Sequence, residues 1–227
     1  MKVLIACEES QTITKEFRAL GIEAYSCDIK DCSGGKPEWH IKGDCLKEAY
    51  SGKYKMMIAH PPCTYLAISG NRHLYNTDGS RNEERYENQQ KALQFVSALM
   101  DAPIDHICIE NPVSVISSQI RKPDQIVQPY WFGDSAQKTT CLWLKNLPPL
   151  RPTNIVDKGE MMTWECKKTG KMKQQAQWFY DAWKEAGSDT EKRRTLRSKT
   201  FMGMAKAIAF QWQSPKYVQL SLFSEKL

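Results

Sequence analysis

The stretch Met56-Met57-Ile58-Ala59-His60-Pro61-Pro62-Cys63-Thr64 decides how this chain folds. Met56–Ala59 is a short apolar run with the length of a buried strand. Two prolines close it, because neither can donate a ladder hydrogen bond and both stiffen the backbone. Cys63 follows at once, on a rigid turn at the carboxyl end of a strand, where open α/β sheets keep their ligands. A thiol there is a candidate nucleophile. The alternative is a cysteine that only packs, since free Cys is among the most buried residue types.

Toward the N-terminus the pattern is a β-α-β unit. Val3–Ala6 reads as a strand, Thr14–Leu20 as a helix capped by Ser10 or Thr12 and ended by Gly21, and Ile22–Cys27 as a second strand ending at Asp28. A carboxylate just past that strand can accept both hydroxyls of a ribose. The first turn, Cys7-Glu8-Glu9-Ser10, lacks the Gly-x-Gly usual in nucleotide folds. Asp31–Trp39 is a loop, and His40–Lys42 a short segment ended by Gly43-Asp44. Asp44 either caps a helix over Cys45–Tyr50 or reaches an adenine amino group, and the sequence alone favours the cap.

Toward the C-terminus, residues 68–86 are polar and irregular, a long loop of the kind that often serves function. Glu87–Met100 has helical spacing, with Ala92, Phe95, Val96 and Leu99 on one face. Asp105–Ile109 is a further strand and ends in Glu110-Asn111-Pro112, repeating the logic of Cys63: a reactive group at a strand end, before a proline. Glu110 alone could equally accept hydrogen bonds from a loop. Its pairing with Cys63 favours chemistry. Ile126–Trp131 and Thr140–Leu144 are expected strands, and Pro148, Pro149 and Pro152 mark a boundary. Beyond it lie a basic stretch, Asp157–Gln174, an amphipathic helix over Gln175–Ala186 whose aromatics suit a core better than a stacking platform, and a helix over Phe201–Trp212.

The whole is 227 residues with 41% hydrophobic content, enough for one large domain or one domain with a small lobe. No apolar run is long enough to span a bilayer, and Glu8-Glu9 come too early for a secretory signal, so a cytoplasmic protein is expected. The eight cysteines are scattered without a Cys-x-x-Cys pair, which argues against a disulfide framework and against a metal, Cys27, Cys32 and His40 being the one grouping left open. Residues 121–227 hold 19 of the 32 Lys+Arg and 10 of the 26 Asp+Glu, five of the cations within Lys192–Lys199. A basic second half beside a mildly acidic first half is compatible with a polyanion-facing surface or simply with a solvated lysine-rich one.

Taken in order, His60-Pro61-Pro62-Cys63, Glu110-Asn111-Pro112, Gly133 through Thr140 and Phe201 through Ala209 resemble the DNA (cytosine-5)-methyltransferases, above all the small phage and prophage members. The resemblance covers roughly residues 1–147 and 198–212. It implies an α/β, Rossmann-like, mostly parallel sheet of the S-adenosylmethionine-dependent methyltransferase type: a catalytic domain over 1–149, a small basic recognition region over 150–197, a helix over 198–214 returning to the catalytic domain, and a tail over 215–227. It also implies S-adenosylmethionine as cofactor and DNA as partner. By resemblance Cys63 adds to C6 of the pyrimidine, Glu110 contacts N3 and the exocyclic amine, and Lys138 partly replaces a base-orienting arginine. Ser10, Gln11, Asp28, Asp44, Pro61, Thr200 and Met204 fall on cofactor positions, Asn111 and Thr139 on substrate positions.

The chain departs from the family in three places: the glycine-rich first loop is replaced, both arginines of the Gln-x-Arg-x-Arg segment are missing from Gln137-Lys138-Thr139-Thr140-Cys141, and Glu-Asn is followed by Pro112 instead of valine. Two rival activities therefore stay open, a methyltransferase for another pyrimidine in RNA or as free nucleotide, and a catalytically weak DNA- or clamp-binding accessory protein. The tail carries a second resemblance. Gln219-Leu220-Ser221-Leu222-Phe223 looks like the pentapeptide with which bacterial replication and repair proteins bind the sliding clamp, implying Gln219, Leu220, Leu222 and Phe223 as docking residues.

Overall fold

The computed structural model describes residues 1–167 and 169–213. The candidate docking residues Gln219, Leu220, Leu222 and Phe223 lie outside them. The chain divides into two compact units. One comprises Met1–Val127, Thr139–Leu150 and residues 208–213; the other comprises Gln128–Lys138 and Arg151–Ala207.

The first unit is built on a seven-stranded sheet. Its strands are β1 (Lys2–Ala6), β2 (Glu23–Asp28), β3 (His40–Lys42), β4 (Met56–Ala59), β5 (His106–Pro112), β6 (Gln125–Val127) and β7 (Thr140–Lys145), in the order β3-β2-β1-β4-β5-β7-β6. The strands from β3 to β5 are parallel, whereas β7 runs antiparallel to both of its neighbours. This is the expected α/β, Rossmann-like class. Val3–Ala6, Met56–Ala59 and Ile107–Ile109 are all buried, because a parallel sheet is covered on both faces and its central strands must be apolar throughout. Strand order reverses between β1 and β4, so the crevice beyond their carboxyl ends is the topological switch point.

Three helices connect the parallel strands: α1 (Thr12–Ala19), α2 (Cys45–Ala49) and α3 (Glu83–Met100). Asn82 caps α3 by accepting from Arg85 N, so that helix starts a turn earlier than its apolar face suggests. A single turn, α4 (Ile116–Gln119), follows β5. The strand expected over Ile126–Trp131 ends at Val127, since Pro129 cannot continue the ladder and opens a short 3-10 turn instead. The core includes Leu4, Phe17, Met57, Leu99 and Trp143. Two buried indoles find acceptors in backbone carbonyls, Trp143 in that of Arg121 at 2.8 Å and Trp212 in that of Pro148 at 3.1 Å.

The second unit holds a hairpin of β8 (Met161–Glu165) and β9 (Met172–Ala176), then α5 (Gln177–Ala186) and α6 (Thr190–Ser198). The hairpin strands are largely exposed, while α5 buries Ala182 and Ala186 and leaves Trp183 outside. Trp178 meets Phe179 and Phe201 edge to face, with centroids 5.5 and 5.4 Å away. The last helix, α7 (Met202–Gln211), begins in this unit and ends in the other.

Candidate active site

The site assembles where β4 ends beside β5, which runs on past the expected end at Ile109 to Pro112 because it pairs with β7. Ala59 is in register with Ile109, so His60 leaves β4 opposite Glu110 on the neighbouring strand. His60 is pinned to both neighbouring strands. Its amide donates to Ala6 O of β1 at 2.9 Å, and its Nδ1 lies 2.9 Å from Glu110 Oε2 of β5. Each of these two side chains is only 13% exposed. Asn111 Nδ2 donates to Pro61 O at 2.8 Å, tying the proline turn to the end of β5.

The segments beyond the two strand ends are laced together as well. Ile68 N donates to Val113 O and Val115 N to Leu66 O, while the Cys63 carbonyl accepts from Leu66 N and Ala67 N. Helix α3 braces the same loop from behind: Gln89 Nε2 donates to Tyr65 O at 2.9 Å and an Arg85 guanidinium nitrogen to Thr64 O at 3.2 Å. Cys63 is half-buried on this scaffold. The turn that carries Cys63 and the strand that carries Glu110 are thus joined by several independent bonds.

Among the other thiols, Cys32 and Cys166 are half-buried as Cys63 is, and hydrogen bonds from Cys27 and Cys7 hold the pKa of the Cys45 thiol down to about 4. Cys27, Cys45, Cys108 and Cys141 are buried. Cys7 also follows a strand, but its Sγ lies 3.8 Å from Cys45 Sγ. That hydrogen bond, together with burial, pushes the Cys7 thiol well up, leaving little thiolate to attack anything.

Across the switch point, the loop after β1 is shaped without glycine. Cys7 and Gln11 adopt left-handed backbone, with φ of 59° and 58°, a conformation that costs of order 1 kcal/mol for a side-chain-bearing residue. Glu8 compensates. Its carboxylate accepts from Ile13 N at 2.7 Å, Thr14 N at 3.3 Å and Thr14 Oγ1 at 2.7 Å, so Glu8 caps α1. The cap expected from Ser10 or Thr12 is absent because those two hydroxyls bond each other at 3.1 Å. Burial raises the Glu8 pKa; the nearby His60 and the helix donors pull the other way.

The candidate cofactor residues separate by role. Asp28 stands at the end of β2, half-buried, with one oxygen accepting from Lys30 N at 2.9 Å, and burial raises its pKa. A carboxylate so placed suits a pair of hydroxyl donors. Ser10 is half-buried in the loop after β1. Gln11 is buried, with its amide engaged by Lys36 O at 2.7 Å and Lys36 N at 3.0 Å, and so ties the loop after β1 to residue 36. Asp44 caps α2 by accepting from Leu46 N at 2.8 Å, the alternative the sequence favoured. Pro61 is buried and its carbonyl is held by Asn111, whose own side chain is buried too. Thr139 is exposed just before β7.

Three more candidates lie in the second unit. Lys138 Nζ donates to Lys199 O at 3.0 Å and sits 6.0 and 5.9 Å from the Trp178 and Phe201 ring centroids. Thr200 is half-buried and Met204 is buried. His40, a possible metal ligand by sequence, bonds Ser26 Oγ at 2.8 Å and Lys30 O at 3.0 Å. Among the described residues no group of three or more His, Cys, Asp or Glu could hold a metal ion, and no helix is long and apolar enough to cross a membrane.

Sequence reasoning missed the roles of Glu8 and His60. The signal for His60 was its place: a histidine ending a buried strand is pointed at the neighbouring strand ends.

No family model and no curated protein matches the chain. Among solved structures it is similar to a chain described as a DNA modification methyltransferase encoded within a prophage (E. coli), at 12% identity and a TM-score of 0.41. The alignment covers 80% of this chain and 63% of that one. This chain therefore spans less than two thirds of that protein's length.

Proposed function

We propose that the chain is a DNA cytosine-5 methyltransferase that works through a Cys63 adduct. The observation that carries the reading is that the turn bearing Cys63 follows β4 beside the strand that carries Glu110, next to the switch point, with His60 bonded to Glu110. A pyrimidine C5 is a weak nucleophile. Adding a thiolate at C6 splits one hard step into two easier ones by loading the ring with electrons. Glu110, contacting N3, gives it a proton as that charge develops. C5 is then nucleophilic enough to accept a methyl group, gives up its proton to solvent water, and expels Cys63 as the thiolate.

S-adenosylmethionine, the methyl donor of this reading, would be held by the Cys7–Gln11 loop and by Asp28 on its ribose. The fit rests on a half-buried carboxylate at the end of β2, beside a loop that Glu8 and Gln11 keep rigid. DNA is the substrate favoured by the cations of the second unit, since Lys and Arg on one region supply the sequence-independent share of binding to phosphates. The target base must leave the helix to reach Cys63.

Methyl transfer from labelled S-adenosylmethionine to duplex DNA, RNA and free cytidine nucleotides tests this. Label is expected on DNA cytosine and should fall at least about 10³-fold in Cys63→Ala. Label on RNA or nucleotides alone would assign another pyrimidine substrate. Cofactor binding with no transfer at all would leave an accessory protein.

A further inference from the structure

His60 and Glu110, each only 13% exposed, are bonded to one another across neighbouring strands. We infer that His60 is a positioning residue and proton reserve for Glu110, so that the carboxyl meets N3 of the base in its protonated form. The inference rests on the methyltransferase reading and deepens it, for that reading needs Glu110 to give up a proton at a pH where an ordinary carboxylic acid has already lost it.

The geometry supplies what such a reserve requires. The His60 backbone is fixed to β1 through Ala6 O, and Pro61 and Pro62 stiffen the chain immediately after it. The ring is therefore held against β5 with Nδ1 at 2.9 Å from Glu110 Oε2. His60 Nε2 is buried and has no hydrogen-bond partner among the described residues, so the ring communicates with its surroundings through Nδ1. The ionisable groups around it are Glu110 from β5, Glu8 from the loop after β1, and Cys63 three residues along its own turn. Burial raises the Glu8 pKa and the charge of His60 pulls against that rise.

The proton balance closes. The pair enters with one transferable proton shared between Nδ1 and Oε2. As the Cys63 thiolate forms its bond to C6, the ring electrons move toward N3, and N3 takes a proton from the Glu110 carboxyl. That proton is the one Nδ1 shared with the carboxyl, so the pair is left as neutral His60 and the Glu110 carboxylate. When Cys63 is expelled and N3 gives its proton back, the pair is restored. No oxidant, metal or further reactant takes part.

The test uses the full chain, with His60→Asn and His60→Ala beside wild type. Asparagine keeps an N–H near the Nδ1 position but holds no proton to spare, whereas alanine removes both. The wild-type rate needs the shared proton, so kcat falls as pH rises through its loss. In His60→Asn the carboxyl must hold it alone, and an ordinary Glu releases its proton near about pH 4.3. The alkaline limb of the kcat profile is therefore expected to move to lower pH, with kcat at neutral pH down roughly 10- to 100-fold and S-adenosylmethionine affinity unchanged. His60→Ala should show the same displaced limb. A readout independent of activity is the ¹⁵N resonance of His60 Nδ1, expected to move in Glu110→Gln.

Asparagine and alanine variants with the wild-type pH profile would overturn the proposal, as would an Nδ1 resonance indifferent to Glu110→Gln. A wild-type protein that methylates nothing overturns the methyltransferase reading itself. The resonance then still decides whether Glu110 holds the ring.

Discussion

The two units of this molecule solve opposite problems. The first surrounds a sheet whose central strands are buried on both faces, and several of its inner side chains bond to fixed partners: Glu8 to α1, Gln11 to Lys36, Asn111 to Pro61, His60 to Glu110. The second has a hairpin with mostly exposed strands, a helix that buries alanines, and large aromatics near the surface, with Trp164 41% and Trp183 50% exposed. One unit has the rigidity needed to hold reacting groups within fractions of an ångström. The other offers cations and rings on a thin core, which suits binding along a polyanion better than chemistry.

Substitutions should expose this contrast. Trp143→Ala removes a fully buried indole with its Nε1 bond to Arg121 O and should cost about 3–5 kcal/mol in denaturant unfolding. Trp183→Ala, at an exposed position, should cost less than about 0.5 kcal/mol. Equal losses would dissolve the distinction between the units.

Glu8 gives a finer test. Glu8→Ala strips three hydrogen bonds from the start of α1 and should destabilise by about 3 kcal/mol. The pH dependence has a definite sign. Because burial raises its pKa in the fold, Glu8 binds a proton more readily folded than unfolded, so its stabilising contribution is complete below its ordinary value of 4.5 and is lost as pH rises through the raised one. Glu8→Gln should flatten that part of the stability curve. A steeper slope in the variant would contradict the assignment.

The smallest effect is expected in the hairpin. Replacing Lys171 and Lys173 with Gln should weaken DNA binding several-fold and make the salt dependence shallower by about 0.9 for each phosphate no longer neutralised, leaving cofactor affinity unchanged. Unaltered DNA binding would make the hairpin a bystander.

The same contrast explains what could be read in advance. β1, β4 and β5 are short apolar runs ended by polar or proline residues, and such runs announce buried strands whatever surrounds them. The chain positions of Cys63 and Glu110 beside these runs were legible for that reason, but the run of β5 on through Glu110 to Pro112 was not, since it depends on pairing with β7 some thirty residues later. The β8–β9 hairpin was not, since Met-Lys-Gln-Gln-Ala carries no alternation; the one signal was Thr169-Gly170 at its turn, where Gly170 takes a φ of 63° that side-chain-bearing residues rarely adopt. The cap of α1 was hidden for another reason. Glu8 reaches donors five and six residues ahead only because Cys7 and Gln11 bend the loop through left-handed backbone, and no local rule anticipates that. His60 reads in sequence as a spacer before two prolines, and only the register of β4 against β5 brings its ring to Glu110.

The central claim is that the Cys63 sulfur bonds to a cytosine ring. Duplex DNA carrying 5-fluorocytosine blocks the last step, because fluorine cannot leave C5 as a proton does. Incubated with S-adenosylmethionine, the wild-type protein should give a denaturation-resistant protein–DNA species by intact mass, mapping to the Cys63 peptide and missing in Cys63→Ala. A protein that methylates unmodified DNA yet forms no such species, or forms it equally well without Cys63, would contradict the account.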